Sequence, residues 1–198
     1  MRPKQPAKPK KPKKPKPDPA AHAIWALGRI GGRDARRQLN AALDYPDAAL
    51  RGEAIRALGV IGDGRTTSRL IKLLRSDPDP DIRFWAAYAL GNIDGKRATT
   101  ALREVLANRA EKPSVRAMAA EQLVFSREAI PDLVAGLRDA SREVRFWSAY
   151  ALGEMRADVA LPALRRLAAR DRTRVPGWWS VAREAKSAIT TIERGWFA

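Results

Sequence analysis

The sequence predicts an all-α fold: an α-solenoid of five to six stacked helix pairs, preceded by a disordered Lys/Pro-rich N-terminal arm. Three observations predict it. Leu-Gly pairs recur at Leu27-Gly28, Leu58-Gly59, Leu90-Gly91 and Leu152-Gly153, with Leu123-Val124 in the same register, at steps of 31, 32, 33 and 29 residues. A branched apolar residue followed by arginine stands at Leu50-Arg51, Ile82-Arg83, Val115-Arg116 and Val144-Arg145, each arginine eight residues before the glycine position. The first 18 residues hold prolines at 3, 6, 9, 12 and 15 and almost no apolar side chain. A period of about 31 residues with two helical segments per unit is the mark of a solenoid, whose units bury one face only by stacking.

The arm comes first. Residues 1–18 carry eight basic side chains (Arg2, Lys4, Lys8, Lys10, Lys11, Lys13, Lys14, Lys16) against one acid, Asp18. The proline period matches the three residues per turn of polyproline II, so the prolines share one edge. Lys4, Lys10, Lys13 and Lys16 share a second edge, and Lys8, Lys11 and Lys14 a third. Extended at about 3.1 Å per residue, the arm would reach about 55 Å. Lys8, Lys10, Lys11, Lys13, Lys14 and Lys16 are expected to contact a polyanion, either nucleic acid or an acidic surface. Lysine in place of arginine favours diffuse attraction to phosphate over bidentate base readout.

The repeat domain follows over 19–198, with units at 19–46, 47–78, 79–113, 114–140 and 141–171 and a capping unit at 172–198. Asp and Pro mark the start of each first helix, as in Asp77-Pro78-Asp79-Pro80-Asp81, and glycine marks its end. The second helices are expected around Ser68–Leu74, Ala98–Leu106, Ile130–Leu137 and Leu161–Leu167. The last unit is irregular, as a terminal unit covering the open end of a stack should be.

The segments IRFWAAYALGNIDG, from Ile82 to Gly95, and VRFWSAYALGEM, from Val144 to Met155, carry a pattern of Val-Arg, two variable residues, Ala-Ala, one variable residue and Ala-Leu-Gly. That wording resembles HEAT-like repeats of the short bilin-lyase type over about 19–170. The resemblance implies an α-solenoid whose Ala-Leu-Gly helices line the concave surface. It implies no single function, because the family includes scaffolds, chromophore lyases, hydroxylases and designed binders.

Helix geometry sorts the faces. With 100° per residue, Ile82, Ala86, Ala87, Ala89 and Leu90 crowd one side and form the packing stripe, while Phe84, Trp85 and Tyr88 face away from it. Unit five repeats this with Phe146, Trp147 and Tyr150. Matching positions hold His22 and Trp25 in unit one, Gly52, Glu53 and Arg56 in unit two, and Ala117, Met118 and Glu121 in unit four. Two readings of these aromatics stand: they fill a tightly curved inner surface, or they line a ligand groove. On the second reading the groove residues are Trp25, Arg56, Phe84, Trp85, Tyr88, Met118, Phe146, Trp147 and Tyr150. The repeated arginines at 51, 83, 116 and 145 are expected to form a ladder between units with acids such as Asp47, Asp79, Asp81 and Glu143. Other basic residues cluster at Arg29, Arg33, Arg36 and Arg37, and at Arg165, Arg166, Arg170, Arg172 and Arg174. Arg166 and Arg170 share a helical face and are candidate polyanion contacts.

Composition narrows the chemistry. The 198 residues carry a net charge of +16, 45% hydrophobic residues, no cysteine and one histidine. Thiol nucleophiles, disulfides, Fe–S clusters and multi-histidine metal centres within the chain are excluded. No run of 18 apolar residues suggests a membrane span, and a cytoplasmic, soluble protein is expected. No His-Glu pair is present to support the hydroxylase branch, and no Cys to hold a bilin. HEAT-like alkylpurine DNA glycosylases carry a Trp-Trp pair followed closely by Asp. Here Trp178-Trp179 is followed by no Asp before Glu184, and the pair is expected to seal the C-terminal cap with Trp196 and Phe197. His22 stands at the junction of arm and array without a carboxylate orienter in sequence. No catalytic residue, metal or cofactor is expected. The leading expectation is a non-enzymatic scaffold that binds a protein segment in its groove and a polyanion through its arm. A nucleic-acid-binding protein, with glycosylase activity as its remote variant, and a bilin lyase or chaperone-like subunit are the alternatives.

Overall fold

The computed structural model describes residues 18–93 and 95–194. The six arm lysines expected to meet a polyanion lie outside them, as do Trp196 and Phe197. The helices are α1 (Pro19–Ile30), α2 (Gly32–Ala42), α3 (Ala48–Ile61), α4 (Thr67–Ser76), α5 (Pro80–Gly91), α6 (Lys96–Ala107), α7 (Pro113–Gln122), α8 (Ile130–Gly136), α9 (Arg142–Glu154), α10 (Leu161–Arg170) and α11 (Val181–Glu193). In chain order these make five helix pairs and a single terminal helix, with no β-strand among the described residues, and each second helix packs most on the first helix that follows it, α2 on α3 through α10 on α11. The expected start signals operate. Asp18, Asp47 and Asp79 cap α1, α3 and α5 with side-chain oxygens, Ser141 caps α9, and Pro19, Pro80 and Pro113 occupy first-turn positions.

The first helices of the pairs stack in one layer, α1 on α3, α3 on α5, and so on to α9 on α11, in extensive contact; the second helices touch their counterparts sparsely. A stack packed more tightly in one layer curves toward that layer, so the first helices form the inner face. The Leu-Gly repeat explains the tight packing. A Cβ on Gly28 would stand 2.9 Å from Ala57 Cβ, on Gly59 2.8 Å from Ala89 Cα, and on Gly153 2.8 Å from Ala188 Cα. Glycine at this position therefore admits the next helix; in α5 it is also the last helical residue, Gly91, but elsewhere the helix runs past it. α1 and α3 run on to Ile30 and Ile61, and Gly31 and Gly62, at φ 67° and 66°, terminate them. Where Val124 replaces the glycine, α7 stops at Gln122 and a 3-10 turn, Leu123–Phe125, follows. Leu58, Leu90, Leu123 and Leu152 of the motif, with Ile55, Ile82 and Val144, fill the core between the layers, and Leu27 packs half-buried against it.

The repeated arginines form a ladder, with partners other than those expected. Arg83 grips Glu111 with two bonds of 2.7 Å, Arg116 pairs with Asp139, and Arg145 reaches Asp171 at 2.6 Å. Each acid stands in the turn that leads into the next first helix. Arg51, Arg83 and Arg145 also donate to the two carbonyls five and six residues behind them, as Arg51 does to Tyr45 and Pro46 at 2.9 Å. Arg51 makes these carbonyl bonds but no ion pair among the described residues. Asp47 and Asp79 are occupied as caps, and Glu143 accepts from Ser141 and Arg142 within its own turn. Burial works to raise the carboxyls of Glu111, Asp139 and Asp171. Burial is the largest single influence on each, but the arginine hydrogen bonds, the hydrogen bonds from the neighbouring turn and the nearby positive charges together outweigh it, and all three lie below the ordinary carboxylate range.

Candidate binding clefts on the inner helix layer

The inner layer carries two clefts built from equivalent positions, and their contents differ. The first, about 230 Å³, is lined by Trp25, Arg29, Glu53, Arg56, Val60 and Tyr88, with Gly28 and Ala57 at its floor. Trp25 is 57% exposed at its edge. Trp85 lies against α3, where a Cβ on Gly52 would come within 3.3 Å of its ring. Phe84 and Tyr88 meet Trp85 edge-on, at 5.2 and 5.8 Å. The guanidinium of Arg56 sits over the Trp85 ring at 5.5 Å and is held there by an ion pair with Glu53. The first aromatic triad is thus already occupied by groups of the chain itself.

The second cleft, about 370 Å³, lies between α9 and α11 and is walled by Trp147, Tyr150, Trp178 and Trp179. Trp147 meets Tyr150 at 5.5 Å and Trp178 at 5.2 Å, and Trp178 meets Trp179 at 5.7 Å, each pair within 11° of perpendicular. Trp178 and Trp179 are placed by the loop after α10. Val175 N–H donates to Trp179 O, Trp178 N–H donates to Val175 O, and Gly177 turns the chain at φ 78°. Phe146 was expected on the groove surface, but it is 1% exposed. Trp178 and Trp179, with rings 5.9 and 6.2 Å away, cover it, so it supports the cleft from behind. Met118 is half-buried against the core and lines neither cleft.

Three carboxylates line the second cleft: Glu121 from α7, Glu154 from α9 and Glu184 from α11. None forms an ion pair among the described residues. Glu184 is 4% exposed and accepts one bond, from Trp179 Nε1 at 2.7 Å. Burial pushes the Glu121 carboxyl up. Burial also pushes Glu184 up, against the Trp179 bond and with the charge of Glu154. The Tyr150 hydroxyl is raised by burial and by all three acids. Arg183 stacks on Trp179 at 5.0 Å but does not line the cleft.

These directions set a pH dependence. A carboxyl raised in the folded state costs stability once pH exceeds that raised value, and the cost vanishes as pH falls to the ordinary Glu value. Glu121→Gln is therefore expected to stabilise the chain at pH 7, by about 0.5–2 kcal/mol, with the gain shrinking toward pH 4–5. Urea unfolding across that range measures it; a variant less stable at pH 7 than the parent contradicts it.

The basic candidates lie elsewhere. Arg166 and Arg170 come together on α10 with Arg138, around a shallow depression of about 180 Å³ on the outer layer. Arg36 and Arg165 are spent on ion pairs with Asp63 and Glu193, and Arg29 rests over Trp25 at 5.8 Å. His22 is exposed. No cluster of three or more acidic or histidine side chains among the described residues is arranged to hold a metal ion. None of their helices is long and apolar enough to cross a membrane.

A curved double layer of helix pairs, with side chains gathered on the inner layer, defines an α-solenoid repeat protein. The chain belongs to the HEAT-repeat family, whose model matches residues 12–91, 39–124 and 101–181. No curated protein matches it in sequence. Among solved structures it is similar to the complex of CpcE and CpcF of phycocyanin lyase from Nostoc sp. PCC7120, at 24% identity and TM-score 0.61, covering 83% of this chain and 76% of that one. It is also similar to human deoxyhypusine hydroxylase in complex with glycerol, at 22% identity and TM-score 0.53, covering 88% and 79%. An engineered protein matches at 22% identity and TM-score 0.53, covering 88% and 90%. At these identities the likeness is one of fold.

Proposed function

We propose that this HEAT-repeat chain is a non-enzymatic adaptor. It binds a protein segment on its inner layer and uses the Lys/Pro arm of residues 1–18 to tether itself to a polyanion. The observation that carries the reading is the separation of charge. The open aromatic cleft is acidic, with Glu121, Glu154 and Glu184 on its walls, while Arg138, Arg166 and Arg170 gather on the outer layer. A phosphate backbone laid across the second cleft would meet three carboxylates, so stacked bases are a poor fit there and a polypeptide is a good one. The similar lyase structure is itself a complex of two chains, which accords with a protein partner here.

The arm and the groove divide the work. Arm contacts are weak singly, fast and salt-sensitive, and the groove supplies selectivity; together they give avidity without a large interface at either site. The test is nucleic-acid binding across a salt series, with the full chain and with a chain lacking residues 1–17. Binding by the full chain should fall about 10³-fold between 50 and 200 mM salt and should vanish without the arm. A shortened chain that still binds tightly, with loss on Trp147→Ala, would show the groove itself reading nucleic acid and would overturn the adaptor reading.

A further inference from the structure

We propose that the cleft between α9 and α11 is a binding site for a cationic side chain, the ammonium of a lysine carried on a segment of a partner protein. This rests on the reading that the inner layer takes a protein segment and names what the segment must present.

The chain's own repetition supplies the comparison. Trp85 and Tyr88 of unit three correspond to Trp147 and Tyr150 of unit five, and Arg56 of the helix before the first pair corresponds to Glu121 of the helix before the second. In the first cleft the Arg56 guanidinium sits over Trp85 and Glu53 balances it. In the second cleft the same aromatic frame is kept, the arginine is replaced by a carboxylate, and Glu154 and Glu184 are added. At the first cleft a cation of the chain already covers the tryptophan, whereas the second is lined by three acids and, among the described residues, by no Lys or Arg, Arg183 lying on Trp179 outside the lining.

The open cleft has the parts that a lysine needs. Perpendicular indole and phenol rings offer faces to the methylene stem and to the ammonium, and carboxylates accept its hydrogen bonds. The buried Glu184 accepts from Trp179 Nε1 with one oxygen, and among the described residues no donor meets the other, Oε1. Desolvation without a countercharge holds Glu121 and Glu184 above the ordinary range, the state that an arriving cation relieves. A compact ammonium suits three acids drawn from three helices better than a planar guanidinium, which favours one bidentate partner.

The probe is a pair of peptides, acetyl-Gly-Pro-Lys-Pro-Gly-amide and its norleucine counterpart, which keeps the stem and removes the charge. Each is titrated against the full chain, followed by the indole N–H resonances of Trp147 and Trp178. The lysine peptide should bind about tenfold more tightly than the norleucine peptide. The double variant Glu121→Gln/Glu184→Gln, isosteric and relieved of buried charge, should erase that difference, and Glu53→Gln at the first cleft should leave it intact. Equal binding of both peptides at Trp147 would overturn the cation site and leave the protein-segment reading standing. No shift at Trp147 with either peptide, at millimolar concentration, would overturn both. Tighter binding of the lysine peptide by a chain lacking residues 1–17 would overturn the assignment to a partner and make the arm the occupant.

Discussion

Asp139→Ala is expected to destabilise the chain by about 3–5 kcal/mol, the largest loss from any single change to the ladder. Arg116 and Asp139 are each 5% exposed, the most buried pair of the series. Removing the acid leaves a guanidinium with a carbonyl bond to Leu106 and no charge partner within the ladder. Asp139 also accepts the Ser141 backbone N–H at 2.9 Å in the turn before α9, so that turn bond is lost with the pair, while the Ser141 cap remains. Arg83 and Glu111 are more exposed, and Glu111→Ala should cost less, about 1.5–3 kcal/mol. Replacing both members by apolar residues, Arg116→Met with Asp139→Leu, should recover most of the loss, because neither charge then remains buried. Urea unfolding of the three variants decides the matter; a loss under 1 kcal/mol for Asp139→Ala would mean that water reaches the pair. Acid works in the same direction. The ladder carboxyls are depressed, so their stabilisation is complete above the ordinary carboxylate range and is lost as pH falls through the depressed values.

The fold was legible because stacking writes itself into the chain at every unit. A helix that must lie against the next one needs glycine or alanine at a fixed place, and Gly28, Gly59 and Gly153 meet Ala57, Ala89 and Ala188 there. The periodic arginine was legible as a ladder for the same reason. Its acids were misassigned because the true partners follow each arginine by 23 to 28 residues, in turns of variable length. The groove was only half legible. Helix periodicity put Trp85 and Trp147 on equivalent faces, but it could not say that one is filled and the other open. That depends on the preceding helix, where Arg56 in one case and Glu121 in the other faces the rings. Phe146 looked as exposed as Phe84 because the loop that covers it, carrying Trp178 and Trp179, belongs to the irregular last unit and has no counterpart beside Phe84. The pair did stand out in the sequence, as a Trp-Trp step in the capping unit, but nothing in its spacing tied it to Phe146.

Gly153→Val is expected to damage the cleft more than the stack. A Cβ at this position would stand 2.8 Å from both Cα and Cβ of Ala188, and a backbone atom of α11 cannot turn aside as a flexible side chain can. The overpacking should cost about 1–3 kcal/mol, and the cheapest relief is to push α11 outward. α11 carries Glu184, and the loop leading into it carries Trp178 and Trp179, so the cleft would lose one acid and two walls together. Lysine-peptide binding should then fall by about tenfold or more, the part owed to charge and rings held together. Gly28→Val is the matched control: its Cβ would stand 2.9 Å from Ala57 Cβ, between α1 and α3 at the other end of the array. In a stack whose units contact only their neighbours, that clash stays local. It should destabilise the chain without changing binding at the second cleft. If both variants weakened binding alike, the site would be reporting global stability. If only Gly153→Val did so, the terminal helix would be a working wall of the site.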